Sequence, residues 1–330
     1  MPTSHCVIIP FLNRFTLLAD CLQALQSALL AQSQVLLVND GSDGDPWLEP
    51  GLRTWLSHSQ IHLVEHPKNL GVAASRNSAL HWCRRNNIDI AIMLDSDCRP
   101  PSNFIKEHLQ LHKDHPQAAA IGGAIVGRGK GLWAELDNVT SWVHAMPHGQ
   151  HRQVDHPYHL PTTNLSLKIK KLPPEEQVFD ERLITGEDAQ LIRKLRAAGE
   201  QALFSPQPVV EHQDREDLIS VIKHHYDWGH HQYFVQLGRD FSRPVFQWWY
   251  RLPFALIFLL ATPLYALMGS VLNIKPWLKY KPHYLGYFPL IYILWCGKSL
   301  ALLCTALNPR RYLRVARVEL QGSYTERKNP

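Results

Sequence analysis

The fold is decided by one stretch in the first third of the chain, Ile88-Asp89-Ile90-Ala91-Ile92-Met93-Leu94-Asp95-Ser96-Asp97. The residues up to Leu94 predict a buried strand, because the run is short, rich in apolar and β-branched side chains, and bounded by turn residues. Two carboxylates follow where the strand ends, which is where open α/β sheets place their ligands. With one residue between them, Asp95 and Asp97 can share a hard divalent cation and a ribose hydroxyl. Alone, the same pattern is more often a solvated turn, so the rest of the chain has to support this interpretation.

Strands and helices alternate on both sides of this stretch. Further strands are predicted over residues 6–10, 34–38, 61–64 and 118–126, and helices over 17–29, 73–85, 187–198 and 218–235. This alternation predicts an α/β fold with a mostly parallel sheet flanked by helices. Residues 127–161 have no clear periodicity and predict a long irregular loop. Its histidines are predicted to be solvated rather than metal ligands: His144, His148, His151, His156 and His159.

The composition separates a globular part from an apolar one. The chain has 330 residues, of which 45% are hydrophobic and 19% charged, and its net charge is +5. Basic residues gather towards the C-terminus, which suits an anionic membrane surface, and no basic aromatic stripe indicates a nucleic-acid partner. The six cysteines show no paired spacing and predict free thiols in a reducing compartment. With no signal peptide recognisable at the N-terminus, we expect a cytoplasmic catalytic domain.

Two apolar segments near the C-terminus are candidate transmembrane helices. Residues 252–272 carry no charge and are long enough to cross a bilayer, whereas 284–307 is interrupted by Lys298. A lysine near the centre of a spanning helix costs about 2.5–3.5 kcal/mol on insertion scales unless it finds a partner. The prolines in these segments also allow a shallow hairpin or interfacial helices. Either arrangement predicts a protein associated with a membrane.

These features predict three parts of the chain. Residues 1–240 form the catalytic domain, and residues 241–310 form a membrane-associated helical hairpin. Residues 311–330 form a basic cytoplasmic tail.

Three further sites are expected at the same edge of the sheet as Asp95. Pro10 follows the first strand, where the backbone can line a base pocket, and Asp40 follows the second strand, where it can accept a hydrogen bond from a base or ribose. Arg76 lies in the first turns of a helix that opens at Gly71 and can reach a phosphate or the base. For each of these residues, an ordinary turn, cap or surface role is the alternative.

A second acidic motif lies late in the chain, at Thr185-Gly186-Glu187-Asp188. Asp188 falls at a helix start, where the helix dipole favours an ionised carboxylate that can take a proton from an acceptor hydroxyl. His212, after a later predicted strand, can supply an imidazole to the same cation. Plain helix capping for Asp188 and a structural role for His212 are the alternatives.

Taken in order and spacing, these motifs resemble those of family-2 glycosyltransferases of GT-A fold. The resemblance covers roughly residues 4–235 and depends on five stretches: 7–14, 39–42, 69–77, 95–97 and 186–188. It implies an inverting enzyme that uses a nucleotide-diphosphate sugar as donor and Mn²⁺ or Mg²⁺ as cofactor. Because the chain also carries apolar segments, the expected acceptor is lipid-linked or a saccharide near a membrane.

The resemblance also implies roles for individual residues. Pro10 and Asp40 would contact the nucleoside, and Arg76 would help to hold it. Asp95 would meet the ribose or the metal-bound diphosphate. The remaining implied roles are metal ligation by Asp97 and His212, catalysis as the base by Asp188, and a position beside the donor sugar and acceptor for Asn164 and Glu187.

Two features limit the resemblance and two other functions compete with it. No Gln-X-X-Arg-Trp follows Asp188, which argues against a processive synthase, and the last hundred residues match no motif of the family. A nucleotidyltransferase acting on a sugar phosphate would usually carry a Gly-rich basic loop after the first strand, where this chain has Phe11-Leu12-Asn13. A non-catalytic membrane scaffold of the same fold would be expected to lack one of the three key aspartates, and all are present.

Overall fold

The structure of the chain is a computed structural model, which describes residues 3–154, 160–175, 177–234, 246–314 and 324–327. The strands are β1 (His5–Phe11), β2 (Gln34–Asn39), β3 (Ile61–Glu65), β4 (Ile90–Leu94), β5 (Cys98–Arg99), β6 (Ala118–Gly127), β7 (Arg152–Gln153), β8 (Asn164–Lys168), β9 (Gln201–His212) and β10 (Thr325–Arg327). The helices are α1 (Phe15–Leu25), α2 (Pro50–Leu56), α3 (Val72–Arg85), α4 (Phe104–Asp114), α5 (Leu132–Ser141), α6 (Glu187–Ala197), α7 (Leu218–Gln232), α8 (Trp248–Leu278) and α9 (Phe288–Leu307).

One mixed sheet organises the catalytic part. Its strand order is β10-β3-β2-β1-β4-β8-β6-β9-β5, and β7 pairs with β9. The first four long strands, β1 to β4, are parallel, as are β6 and β9, whereas β8 runs antiparallel to both of its neighbours. The predicted α/β class, a GT-A-like and mostly parallel sheet flanked by helices, is therefore confirmed, with β8 as its main antiparallel member.

Alternating side chains bury both faces of this sheet. Val7 and Ile9 face a cluster that includes Leu18 and Leu22 of α1, while Cys6 and Ile8 face a second cluster. Alternation of this kind is the period-2 pattern of a strand, and apolar residues on both faces are typical of parallel strands covered by helices. All six cysteines are free thiols.

The first strand extends one residue further than the sequence predicts. β1 continues through Pro10 to Phe11, and Pro10 pairs with Val38 of β2. Its pairing with β4 on the other side ends at Ile8. Pro10 therefore has a neighbouring strand on one side only, which is the setting in which a strand tolerates a residue without an N–H.

The segment 127–161 is not irregular throughout. It contains α5, whose apolar Leu136 and Val139 face the core beside the buried polar residues Asp137 and Thr140. These buried polar side chains hide the helical periodicity in the sequence. Of the predicted histidines, His156 and His159 lie outside the described residues, as does Val235 at the predicted end of α7.

The two predicted apolar segments fall within α8 and α9. Both helices are long and apolar enough to cross a membrane by length and composition. In α8 the face towards the protein carries small and polar residues, Ala266, Gly269, Ser270 and Asn273, while the outward face carries large apolar ones such as Leu260. A water-facing helix has the opposite distribution, so this pattern is typical of a helix that meets lipid.

The last residues of the chain return to the catalytic sheet. β10 pairs antiparallel with β3, and Arg327 donates two hydrogen bonds of 3.0 Å to Asp45. Trp82 of α3 donates to Glu326 at 3.3 Å. Within the predicted tail, 311–330, the described residues 325–327 thus form an edge strand of this sheet. The predicted boundary at residues 240 and 241 lies outside the described residues.

Candidate active site

Acidic residues from distant stretches of the chain meet at one cavity. Its volume is about 360 Å³, and it opens at the end of β4. The predicted residues that line it are Arg76, Asp95, Asp97, Glu187, Asp188 and His212. Asp97 and Asp188, on which the sequence interpretation depends most, therefore face the same space.

Asp95 is held in place by two neighbours. Its Oδ1 accepts a hydrogen bond from Arg76 Nη2 at 3.2 Å, and its Oδ2 accepts one from Thr163 Oγ1 at 2.7 Å. Thr163 lies directly before β8, which pairs with β4 in antiparallel register and thereby places Thr163 beside the end of β4. A carboxylate with both oxygens engaged has a fixed orientation, which is what a ligand-binding group needs.

Arg76 and Glu187 form a buried ion pair across the back of the cavity. Arg76 Nη1 donates to Glu187 Oε1, and both side chains are almost completely buried. Burial alone would lower the pKa of Arg76, but Glu187 and Asp95 outweigh it and raise it. Burial raises the pKa of Glu187, which Arg76 opposes. The pair joins α3 to the first residue of α6 and so fixes the position of the next residue, Asp188.

Asp188 is the second residue of α6 and is half-buried at the cavity wall. Gly186 before it has a φ of +82°, and a Cβ there would lie 2.5 Å from the ring of His231. Only glycine suits this left-handed turn beside a packed ring. The turn directs the start of the helix at the cavity, where its dipole stabilises a carboxylate.

Asp97 and His212 face each other at the other side of the cavity. The pairing of β5 with β9 sets His212 opposite Cys98, so that His212 Nε2 lies 3.6 Å from Asp97 Oδ1. On its far side, His212 Nδ1 faces Asp214 Oδ1 at 3.7 Å. Burial would lower the pKa of His212, but the carboxylates of Asp97 and Asp214 outweigh it and raise the pKa above its ordinary value.

These residues fit a divalent cation. A carboxylate oxygen and an imidazole nitrogen point at one another, and a second carboxylate faces the other ring nitrogen, as in metal sites whose histidine is oriented by an acidic partner. Within the described ranges, no three Asp, Glu, His or Cys side chains lie close enough to hold a metal by themselves. Mg²⁺ is usually bound by one or two carboxylates together with substrate phosphates and water, so a partial protein set suits it.

Three predicted residues do not line the cavity: Pro10, Asp40 and Asn164. Pro10 is buried within β1, and Asp40 is buried where β2 ends. Asp40 accepts hydrogen bonds from the backbone N–H groups of Leu70 and Gly71, at 3.0 and 2.8 Å, and its Oδ1 contacts His66 Nδ1 at 2.8 Å. In this arrangement Asp40 anchors the turn that leads into α3, and nucleoside contact by either residue stays a prediction.

Asn164 is fully buried behind the cavity. Its Nδ2 donates to the carbonyl oxygens of Ala124 and Pro208, and its Oδ1 contacts His108 Nε2 at 2.9 Å. The side chain is thus occupied in joining β8 to β6 and β9. The three residues before it, Pro161, Thr162 and Thr163, line the cavity instead.

The sequence interpretation missed a second wall of the cavity. This wall is built by α5, by the residues after β9, by α7 and by α9, and it carries Trp142, Arg215, His224, Trp228 and Lys298. In the sequence, Lys298 is a charged residue within an apolar run, and Asp214 is an acidic residue two positions after His212. Neither pattern indicates on its own that the residue faces the site.

Comparison with known proteins identifies sequence relatives of this chain. The family model of glycosyl transferase family 2 matches residues 6–166. The pre-mycofactocin glycosyltransferase of Mycobacterium tuberculosis, found in two strains, is 27% identical over 225 residues, or 64% of this chain. The match spans only 43% of that protein's own length.

A solved structure has a similar fold. The mannosyltransferase PcManGT from Pyrobaculum calidifontis, in complex with GDP-Man and Mn²⁺, aligns with a TM-score of 0.58 over 93% of this chain and 87% of its own, at 18% identity. This likeness shows a GT-A-like fold. Within that fold, residues 6–166 match the model of glycosyl transferase family 2.

Proposed function

We propose that this chain is an inverting, metal-dependent glycosyltransferase that moves a sugar from a nucleotide-diphosphate sugar to a hydroxyl or phosphate of a lipid-linked or saccharide acceptor near a membrane. The observation that carries the proposal is the presence of Asp97, His212 and Asp188 in one cavity. Support for the donor class comes from the family match and from the GDP-Man held by the structural neighbour.

Asp97 and His212 are the residues that would hold Mn²⁺ or Mg²⁺. When bound there, the cation supplies Lewis-acid stabilisation of the charge that develops on the departing nucleoside diphosphate. The Mn²⁺ held by the neighbouring fold supports this choice of metal. Asp214 Oδ1 lies 3.7 Å from His212 Nδ1 and would favour the imidazole orientation that leaves Nε2 available to a cation.

Asp188 would act as the general base. It accepts the proton of the acceptor hydroxyl while that oxygen bonds to the anomeric carbon, and the bond from the anomeric carbon to the diphosphate oxygen breaks with its electron pair going to the leaving group. Because attack and departure occur on opposite faces, the configuration inverts. The buried pair of Arg76 and Glu187 fixes where α6 begins and so where this carboxylate stands.

The outward faces of α8 and α9 support a membrane location. They expose many large apolar side chains, including Leu256, Leu260, Leu264, Ile293 and Leu300. Apolar area of this extent on a folded protein marks an interaction surface. The free thiols support a catalytic domain on the reducing, cytoplasmic side.

The test is release of nucleoside diphosphate from a panel of sugar nucleotides by the detergent-solubilised chain, with Mn²⁺ or Mg²⁺ and a membrane extract as the acceptor source. We expect one donor to be consumed with formation of a glycoside of inverted configuration. Production of inorganic diphosphate from a nucleoside triphosphate and a sugar phosphate would instead identify a nucleotidyltransferase. Absence of both turnover and donor binding would identify a scaffold.

A further inference from the structure

Lys298 is a buried lysine with no anionic hydrogen-bond or ion-pair partner in the described part of the chain. It lies in the middle of α9, its exposed fraction is 4%, and it lines the cavity that holds Asp188. Its Nζ lies 4.8 Å from the ring centre of Trp228 and 4.6 Å from that of Trp295. Among the residues that the structure describes, none accepts a hydrogen bond from it or forms an ion pair with it.

The nearest buried acid is already paired. Asp137 is fully buried and accepts hydrogen bonds from the backbone N–H of Arg215 at 3.0 Å, from Arg215 Nη1 at 3.2 Å, and from Ser141 Oγ at 3.3 Å. Burial and the nearby cations, Arg215 and Lys298 among them, hold the pKa of His224 well below its ordinary value, so that this cavity histidine is neutral. One buried carboxylate, Asp137, therefore lies beside two cationic side chains, Arg215 and Lys298.

An unpaired buried cation is costly, and its retention in an apolar helix needs a reason. Packing fixes α9 in the orientation that places Lys298 at the cavity. Gly229 of α7 approaches so closely that a Cβ there would lie 2.3 Å from the Lys298 carbonyl oxygen, and Trp295 Nε1 donates to Asn273 of α8 at 2.6 Å. Trp277 of α8 in turn donates to the Val139 carbonyl oxygen of α5 at 3.0 Å.

We propose that Lys298 binds a phosphate group of the acceptor, so that the apolar helices build the acceptor half of the active site. This inference rests on the proposed function, because it takes the wall with Asp95 and Asp97 as the donor side. An ammonium group that faces a cavity and has no anionic partner among the described residues is the group that a phosphate monoester or diphosphate would neutralise. The phosphate can belong to an amphiphile or to a soluble molecule.

The experiment measures binding of dodecyl phosphate and of inorganic phosphate to the full chain in an uncharged detergent, by calorimetry and thermal unfolding. Lys298→Met removes the charge at nearly constant volume. Lys275→Met is the matched control, because Lys275 is an exposed lysine of α8 outside the cavity. We expect Lys298→Met to weaken phosphate binding about tenfold or more, and the control to leave it unchanged.

The thermal unfolding midpoint separates binding from a structural role. Loss of an unpaired buried charge should leave the midpoint of Lys298→Met unchanged or raise it, whereas a structural lysine would lower it. Lys298→Arg should retain most of the binding. Tighter binding of dodecyl phosphate than of inorganic phosphate would identify an amphiphilic acceptor, and equal binding a soluble one.

Equal phosphate affinity in Lys298→Met and the parent would overturn the proposal, and so would no stabilisation of the parent by millimolar dodecyl phosphate. An equal loss of affinity for UDP and GDP with Mn²⁺ in Lys298→Met would also overturn it, because that result would place the anion on the donor side. Release of nucleoside diphosphate is followed in the same samples. Phosphate binding at Lys298 without turnover of any donor would contradict the proposed function and leave the anion site standing.

Discussion

Arg76 of α3 and Glu187 of α6 form a buried ion pair directly behind the cavity. The same guanidinium also bonds to Asp95 at the end of β4. Arg76 thus connects the end of β4, which Asp95 and Asp97 follow, to the start of α6, which carries Asp188. The relative position of donor-side and base-side carboxylates depends on this contact.

We predict that Arg76→Ala lowers the free energy of unfolding by about 3–5 kcal/mol, because it leaves a buried carboxylate without its cation. Urea unfolding in detergent measures the change. Lys223→Ala is the control, because it removes only the exposed pair with Asp227 on α7 and should change the free energy by about 0.3–0.5 kcal/mol. Equal stability of Arg76→Ala and the parent would contradict the structural role of the pair.

Asp188→Asn should reduce turnover about 10²–10⁴-fold, since the amide cannot take the proton of the acceptor. Donor affinity should stay within about twofold of the parent, because the amide keeps the shape of the side chain and Asp188 is not among the residues proposed to hold the donor. Turnover is followed as nucleoside diphosphate release and affinity by calorimetry, with Asp227→Asn as an acidic control outside the cavity. A loss of affinity as large as the loss of turnover would show that Asp188 holds the donor instead.

Metal binding should depend on Asp97, His212 and Asp214 to different extents. Asp97→Ala should abolish both Mn²⁺ binding and activity, and chelator should do the same to the parent in a way that added Mn²⁺ or Mg²⁺ reverses. Asp214→Asn should weaken Mn²⁺ about 10–100-fold, because it removes only the partner that orients the imidazole. Electron paramagnetic resonance of Mn²⁺ measures the affinities, and activity that persists in chelator would refute a metal-dependent reaction.

Much of this site could be predicted from the sequence, because several of its residues lie beside secondary-structure elements that are recognisable in the sequence. Asp95 and Asp97 follow a recognisable buried strand, and Asp188 follows a glycine at a helix start, so their positions along the chain indicate their places in the fold. The sequence predicts Asn164 at the site, but residues 161–163 line the cavity, because the start of β8 depends on its register with β4, which the sequence does not show. Lys298 could not be assigned to the site, since its place depends on packing between α7 and α9.

Stability should fall in mild acid because of two buried histidines behind the cavity. Burial lowers the pKa of His108 to about 4 and that of His112 to about 3, and both rings contact Ser166 Oγ at 2.9 Å. In the unfolded chain a histidine takes up its proton near its ordinary pKa of about 6.5, so the stabilisation is present above that pH and is lost as the pH falls towards the folded values. We expect His108 alone to account for about 3 kcal/mol between pH 6.5 and 4.

The histidine prediction is checked by urea unfolding at several pH values from 7.5 to 4. His108→Gln should be less stable at neutral pH, because it disturbs the contacts to Ser166 and Asn164, but its free energy of unfolding should change less steeply with pH. A parent and a variant with the same slope would show that His108 is protonated in the folded chain near its ordinary pKa.

Contact with lipid is predicted to reside in the outward face of α8. Leu260 is 84% exposed and Leu264 is 61% exposed, and neither belongs to a core cluster of the described residues. Because both side chains are mostly exposed, Leu260→Gln and Leu264→Gln together should leave the unfolding free energy nearly unchanged. Burial of a leucine side chain is worth about 1.5–3 kcal/mol, so losing two should weaken binding to anionic lipid vesicles at least about tenfold.

Leu48→Gln is the matched control, since Leu48 is 80% exposed on the catalytic domain. Vesicle co-sedimentation measures the binding, and equal losses for Leu48→Gln and the double variant would mean that exposed apolar residues anywhere on the chain, rather than the α8 face, determine attachment.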